Sequence, residues 1–308
     1  MTQDPAITHV AYHLPEHVDD VGSWGRRAGQ YAAVPGLERA GMHRYRRATG
    51  QTAIGLAASA IHQVMLASCV AAHTIDCLVY VHTLQGSIAP PPMSLPGLLC
   101  DRFGFTHAET FSFAQQHCAS ALGALRVIRA MFAARPHMQR VLLVGADVMP
   151  LEPDRLMRGE GIMGDGAFAA LLQRGGTINR LLAVGTHCSG LGWRGTSGLE
   201  TPSIAARHFL AARNLISGTL RLARCLPEEL QLVLPHHLDL PAWHRLLDSL
   251  GIPRERLFTS NFARVGHVTV SDAFVNLADC DDVLVPGRPY LLFARGVGGF
   301  CTAAVLGR

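Results

Sequence analysis

Lysine is absent from this 308-residue chain; all 27 Lys-or-Arg positions are arginine. That excludes Schiff-base chemistry, pyridoxal-phosphate attachment, a P-loop lysine and a Ser–Lys dyad, each of which needs the amine. Cysteine occurs eight times, at 69, 77, 100, 118, 188, 225, 280 and 301, but never in CxxC spacing, so neither a zinc ribbon nor a dithiol redox motif is written here. The 16 histidines form no HExxH and no paired helix face, and no metal site is expected. No apolar run approaches the ~20 residues that span a bilayer, and the opening MTQDPAITHVAYHLPEHV lacks the basic-then-apolar order of a signal peptide. The expectation is a cytoplasmic protein with free thiols and no membrane segment. Charge is sparse, at 16% of residues and a net +4, and the arginines are dispersed apart from His43-Arg44-Tyr45-Arg46-Arg47. With no nucleic-acid fold signature beside that cluster, nucleic acid is not an expected partner, whereas an acidic protein surface is compatible with it.

What is abundant is apolar residues, 49% of the chain, enough for one large core or two fused ones. The most informative stretch is residues 109–131, ETFSFAQQHCASALGALRVIRAM. Alternating Phe111 and Phe113 read as a strand, and the small apolar residues after Ala119 read as a buried helix, with Cys118 at the sharp turn between them. A free cysteine ordinarily packs as a small hydrophobe. At a helix N-terminus, unpaired backbone N–H groups and the positive dipole end favour thiolate, so this position is a candidate nucleophile.

In order, the chain reads as a strand at 7–13, a Gly-rich, Arg-dotted loop through residue 50, a buried helix at 52–68 and a strand at 77–83. A proline-rich loop at 86–96 and a short helix at about 98–103 follow, then the nucleophile stretch. A buried strand at 140–146 and a strand at 168–173, fed by the turn Gly164-Asp165-Gly166, complete the first half. The second half repeats this order: a strand at 231–234 ending in Pro235-His236-His237, an amphipathic helix at 241–250, a strand at 257–261, a helix at 271–277 and strands at 289–294 and 300–306. Laid over each other, CLVYVHT matches LVLPHH, RVLLVGA matches PYLLFAR, and GDGAFAALL matches GVGGFCTAAVL. The repeat divides the chain into halves at 1–174 and 175–308, and makes Cys118 and His267 mates at the starts of two buried helices.

These residues resemble the thiolase fold and, within it, the ketoacyl-acyl-carrier-protein synthase III branch of condensing enzymes. The resemblance runs through HVAYHLPEHV, GMHRYRR, QQHCASALGAL, LLVGADVM, MGDGAFAALL, LPHH, ARVGHVTVSDA and GVGGFCTAAVL. It implies a duplicated five-layer α-β-α-β-α architecture, a homodimer joined through the strand at 110–113, and no cofactor beyond an acyl thioester substrate. The family's active cysteine falls on Cys118 and its catalytic histidine on His236; an oxyanion hole would combine the N–H groups of Cys118 and Gly298. The family's third catalytic residue, an asparagine, is here His267, 31 residues after His236. Two further departures concern the donor: Pro35 stands where the family stacks a tryptophan on coenzyme A, and Pro241 where it has an arginine. They imply weak coenzyme A binding and an acyl-carrier-protein donor, for which Arg39, Arg44, Arg46, Arg47, Arg158 and Arg264 are candidate contacts.

The first functional expectation is decarboxylative condensation: an acyl group on Cys118 is attacked by a malonyl-type carbanion whose enolate is held by two neutral donors, His236 and His267. His267 is expected to be neutral because a helix N-terminus disfavours its protonated form. The alternatives are acyl transfer to a hydroxyl, amine or thiol with His236 as base, and a catalytically silent partner subunit. His117 beside Cys118 is expected to be structural or pocket-lining, and His237 to lie behind the site or point outward.

Overall fold

Strands whose apolar residues run on without alternation must bury both faces, and that requirement orders the layers of this molecule. The computed structural model describes residues 4–84, 93–157, 160–189 and 202–308. The strands are β1 (Pro5–His13), the short pair β2 (Val18–Asp20) and β3 (Arg44–Arg46), β4 (Cys77–Val81), β5 (Glu109–Phe113), β6 (Arg140–Asp147), the pair β7 (Leu156–Met157) and β8 (Gly161–Ile162), β9 (Gly166–Arg174), β10 (Arg180–Cys188), β11 (Val233–Leu234), β12 (Pro289–Gly296) and β13 (Phe300–Gly307). The helices are α1 (Val21–Arg27), α2 (Val34–Arg39), α3 (Ala53–Ser68), α4 (Leu95–Phe103), α5 (Ser120–Ala134), α6 (Pro202–Ala223), α7 (Leu240–Leu250), α8 (Phe262–Val265) and α9 (Asp272–Asp279).

The two halves share a strand pattern, except that β5 has no counterpart in the second. In the first half the order is β5-β4-β6-β9-β1, with β4 parallel to both β5 and β6 and the remaining pairs antiparallel. In the second it is β11-β12-β13-β10, with β11 parallel to β12 and the others antiparallel. The halves join where Ala6 of β1 pairs with Arg180 of β10, beside a bond from Ile7 N–H to the Asn179 carbonyl.

Alternate residues of the central strands serve different layers. Val141 and Leu143 of β6, and Leu292 of β12, face a middle layer built from α5 and α9. Leu142 and Val144 face α3 and α4, while Leu291 and Phe293 face α6 and α7. Five layers result, and Phe168 of β9 stacks on Phe274 of α9 in the middle one with ring centroids 4.0 Å apart.

Several expectations need correction. The segment at 257–261 is not a strand: Leu257 makes one isolated parallel bridge to Val233, because a 3-10 turn at Arg254–Arg256 precedes it and Asn261 is already the N-cap residue of α8. The loop to residue 50 contains α1, capped by the Asp20 carboxylate, and α2, started by a proline. Strand β10 and helix α6 were not anticipated; the apolar residues of α6 that enter the core, Ala212, Ile216 and Leu220, have helical spacing that could have revealed it. Most of the proline-rich loop lies outside the described residues.

Candidate active site

Two tight turns carry the candidate residues. After β5 the chain reverses at His117, whose φ of 50° is uncommon for a side-chain-bearing residue, and a 3-10 turn at His117–Ala119 leads into α5. The Ala114 carbonyl accepts from the His117 N–H and from the Ser120 hydroxyl, closing the turn under Cys118. The end of β12 packs so closely here that a Cβ on Gly296 would lie 2.0 Å from the Gln116 carbonyl oxygen, so only glycine fits. The Gly-rich turn that includes Gly298, at φ 94°, therefore begins against the turn that holds Cys118.

The second turn corrects the mate relation. It is Thr269, at φ 53°, that corresponds to His117, and the 3-10 turn Thr269–Ser271 that corresponds to the one holding Cys118. His267 precedes this turn, forming an isolated parallel bridge with Met163. Its N–H donates to the Ile162 carbonyl at 2.9 Å and its own carbonyl accepts from Gly164 N–H at 2.9 Å. That flanking segment is anchored by Asp165, which is not a simple turn residue: it is fully buried, takes both Nη atoms of Arg155 at 2.9 Å, and accepts from the N–H groups of Ala48 and Met149. Thr269 is held in its strained conformation by a 2.5 Å bond from its hydroxyl to Asp147, whose carboxylate also caps the Thr83 and Leu84 N–H groups.

His267 Nε2 lies 3.2 Å from Cys118 Sγ, and its Nδ1 lies 2.6 Å from Asp272 Oδ2. Cys, His and Asp thus form one line of hydrogen bonds, with all three buried. Asp272 is the first residue of α9, so the helix N-terminus acts on a carboxylate and not on the imidazole. Its two oxygens also accept from the N–H groups of Val268 and His237, both at 2.7 Å. Burial opposes its ionisation, but the facing charges of His237 and His267 outweigh that and hold the carboxyl below its ordinary range. For His267, burial likewise opposes charge; the attraction of Asp272 and Cys118 outweighs it and raises the imidazole well above its usual value. This upward push runs against the neutral imidazole expected from a helix N-terminus.

His236 follows β11 and is buried, its ring 5.2 Å from Trp243 and 5.6 Å from Phe293. Burial, then the charges of Arg295 and His267, push its pKa well below the usual imidazole value, and its Nδ1 has no hydrogen-bond partner among the described residues. A cavity of about 340 Å³ runs past it, lined by Phe209, Leu238, Trp243 and the Glu160–Arg295 ion pair among others. Cys118 and His267 do not line this cavity.

The proposed carrier contacts are unequal. Arg39 and Arg44 are exposed. Arg46 is half-buried and donates to the Pro15 carbonyl; Arg47 pairs with Asp19 at 2.7 Å, and Arg264 with Asp279 at 2.6 Å, so the last two are spent on internal carboxylates. Arg158 lies outside the described residues. His117 is half-buried near Phe300, and His237 is buried against Asp272, not directed outward. Asp272, Asp147 and Arg295 were missed; Asp272 alone left a signal, an acid five residues after a candidate histidine.

The layers and the cysteine at the mouth of the central helix define a thiolase-fold protein. Two family models match it: 3-oxoacyl-[acyl-carrier-protein] synthase III over residues 114–190, and that family's C-terminal region over residues 220–308. The chain belongs to this family. A curated relative, the beta-ketoacyl-[acyl-carrier-protein] synthase III of Aquifex aeolicus, is 26% identical over 181 residues, a match spanning 54% of this chain and 57% of that protein. Among solved structures, 3-oxoacyl-(acyl carrier protein) synthase III from Pseudomonas aeruginosa superimposes with a TM-score of 0.84 at 18% identity, covering 99% of this chain and 98% of that one. ChlB3, described as an acyltransferase, gives 0.85 at 21% identity, covering 99% and 97%. At these identities the structures establish the shared fold.

Proposed function

We propose that this protein is an acyltransferase that takes an acyl group from a thioester onto Cys118 and delivers it to a nucleophilic acceptor. The observation that carries this reading is the Cys118–His267–Asp272 line, which is an arrangement for moving protons. The Cys118 thiol gives its proton to His267 Nε2, and the sulfur attacks the thioester carbonyl carbon. The N–H groups of Cys118 and Gly298 are the proposed donors to the resulting oxyanion. The carbon–sulfur bond to the donor breaks, its thiolate takes the proton from His267, and acyl-Cys118 remains. An acceptor hydroxyl, amine or thiol then loses its proton to His267 as it attacks, and the released Cys118 sulfur recovers that proton. His236, neutral in its apolar setting, is placed in this scheme as a hydrogen-bond donor to the thioester at the end of the cavity.

Family membership, together with the neutral His236, favours a second reading, decarboxylative condensation with a malonyl-type thioester. A carrier-protein donor docking at Arg39 and Arg44, and a homodimer pairing through the exposed edge strand β5, are part of the same proposal. Intact-protein mass after incubation with a panel of acyl donors tests acylation of Cys118. Release of labelled carbon dioxide from a malonyl thioester by the acylated protein would decide for condensation, and product formation without it for transfer.

A further inference from the structure

The fourth group around Asp272 is unusual. His237 Nδ1 lies 2.8 Å from the Gly266 carbonyl oxygen and 3.2 Å from Asp272 Oδ1, while its Nε2 lies 2.8 Å from Asn276 Oδ1. All three are oxygen acceptors. The orientation of the Asn276 amide is fixed from two other sides, because its Nδ2 donates to the Pro235 carbonyl at 2.8 Å and its Oδ1 also accepts from Asn261 Nδ2 at 2.9 Å. Asn261 is oriented in turn: its Oδ1 accepts from Arg264 and its Nδ2 donates to Asp279 at 3.0 Å. Turning either amide over would set donor against donor or oxygen against oxygen. This network is satisfied only if His237 donates from both ring nitrogens.

We propose that His237 is a positioning residue, a buried imidazolium that fixes the Asp272 carboxylate from the side opposite His267 and takes up part of its charge. This rests on the reading of Cys118 and His267 as the reacting pair. A carboxylate shared between two histidines aligns His267 Nδ1 while pulling on its proton less than an unshared one would. His267 can then both accept a proton from the thiol and release it to the departing group. The charged and titratable groups facing this centre are Asp272 and His267 on one side and the neutral His236 next in sequence, with the Arg264–Asp279 pair beyond Asn261 and Cys118 beyond His267. Phe262 covers the His237 ring at 5.5 Å.

The test is nitrogen-15 NMR of histidine-labelled full-length protein, wild type against His237→Gln and Asp272→Asn, with His267 and His237 signals assigned by the variants. Wild type should show a ring protonated on both nitrogens at pH 7 that vanishes in His237→Gln. Removing that cation should raise the pH at which His267 loses its proton, by about half a unit or more, whereas Asp272→Asn should lower it. A mere packing role predicts the opposite sign for His237→Gln, since a loosened Asp272 holds His267 less. A neutral His237 in wild type, or an unchanged or lowered His267 titration in His237→Gln, overturns the proposal. Failure of the underlying reading would look different: His267 signals in wild type would not respond to alkylation of Cys118.

Discussion

Replacing Asp272 by asparagine is the sharpest test of the line of hydrogen bonds. The carboxylate accepts from the Val268 and His237 N–H groups and from His267 Nδ1, and it faces His237 Nδ1 as well, entirely inside the protein. An asparagine offers one oxygen and one NH2 group, so the NH2 must face former donors on one side. At about 1–3 kcal/mol for each buried group left without a partner, two such losses cost about 2–6 kcal/mol of stability. If the amide oxygen takes the Oδ1 place and keeps the Val268 N–H, the NH2 faces His267 Nδ1, and His267 is pushed to the tautomer with its proton on Nε2, facing Cys118 as a donor. A triad in the wrong tautomer loses on the order of 10⁴ in turnover. Stopped-flow acylation of Cys118 at pH 7, alongside urea denaturation of the same sample, separates the two effects. A folded Asp272→Asn protein that acylates within a few-fold of wild type would refute the assignment of Asp272 and return His267 to the role of simple hydrogen-bond donor.

Limited iodoacetamide treatment near pH 7 should modify Cys118 and the exposed Cys69 and Cys188, while Cys77 and Cys280, pushed up to about 12 by burial, and Cys100, Cys225 and Cys301, pushed up to about 11, stay unlabelled; only the Cys118 label should abolish activity, read by peptide mapping against residual turnover. His267→Asn, which supplies a donor but no base, should cut acyl transfer by about 10²–10⁴, and retention of turnover with carbon dioxide release would favour condensation instead. Arg155→Ala leaves Asp165 buried without its cation and should cost about 3–5 kcal/mol by urea denaturation, slackening the segment that holds His267. The folded-state pKa of His236 is depressed, so its contribution to stability is present above about pH 6.5 and lost as pH falls, because the unfolded chain takes up that proton first; His236→Phe should flatten the decline between about pH 6.5 and pH 5.

The sequence by itself determined the layers and the turn that carries Cys118. Strands buried on both faces announce themselves as unbroken apolar runs, as in RVLLVGA and PYLLFA, and the repetition of such runs in one order exposed the duplication. Cys118 stood out because a strand, a turn and a small-residue helix are all local patterns. Where hydrogen bonding is short and edges are crowded, local reading failed: residues 257–261 have strand composition, yet the flanking 3-10 turn and α8 leave room for one bridge. The electrostatics of the site were decided only by the tertiary structure. His267 was expected at a helix N-terminus and neutral, but a three-residue offset between the halves puts Asp272 at that N-terminus and His267 in front of it. The upward push on His267 therefore depends on Asp272, five residues away across a turn, and on Cys118, from a distant part of the chain, and only folding sets their distances.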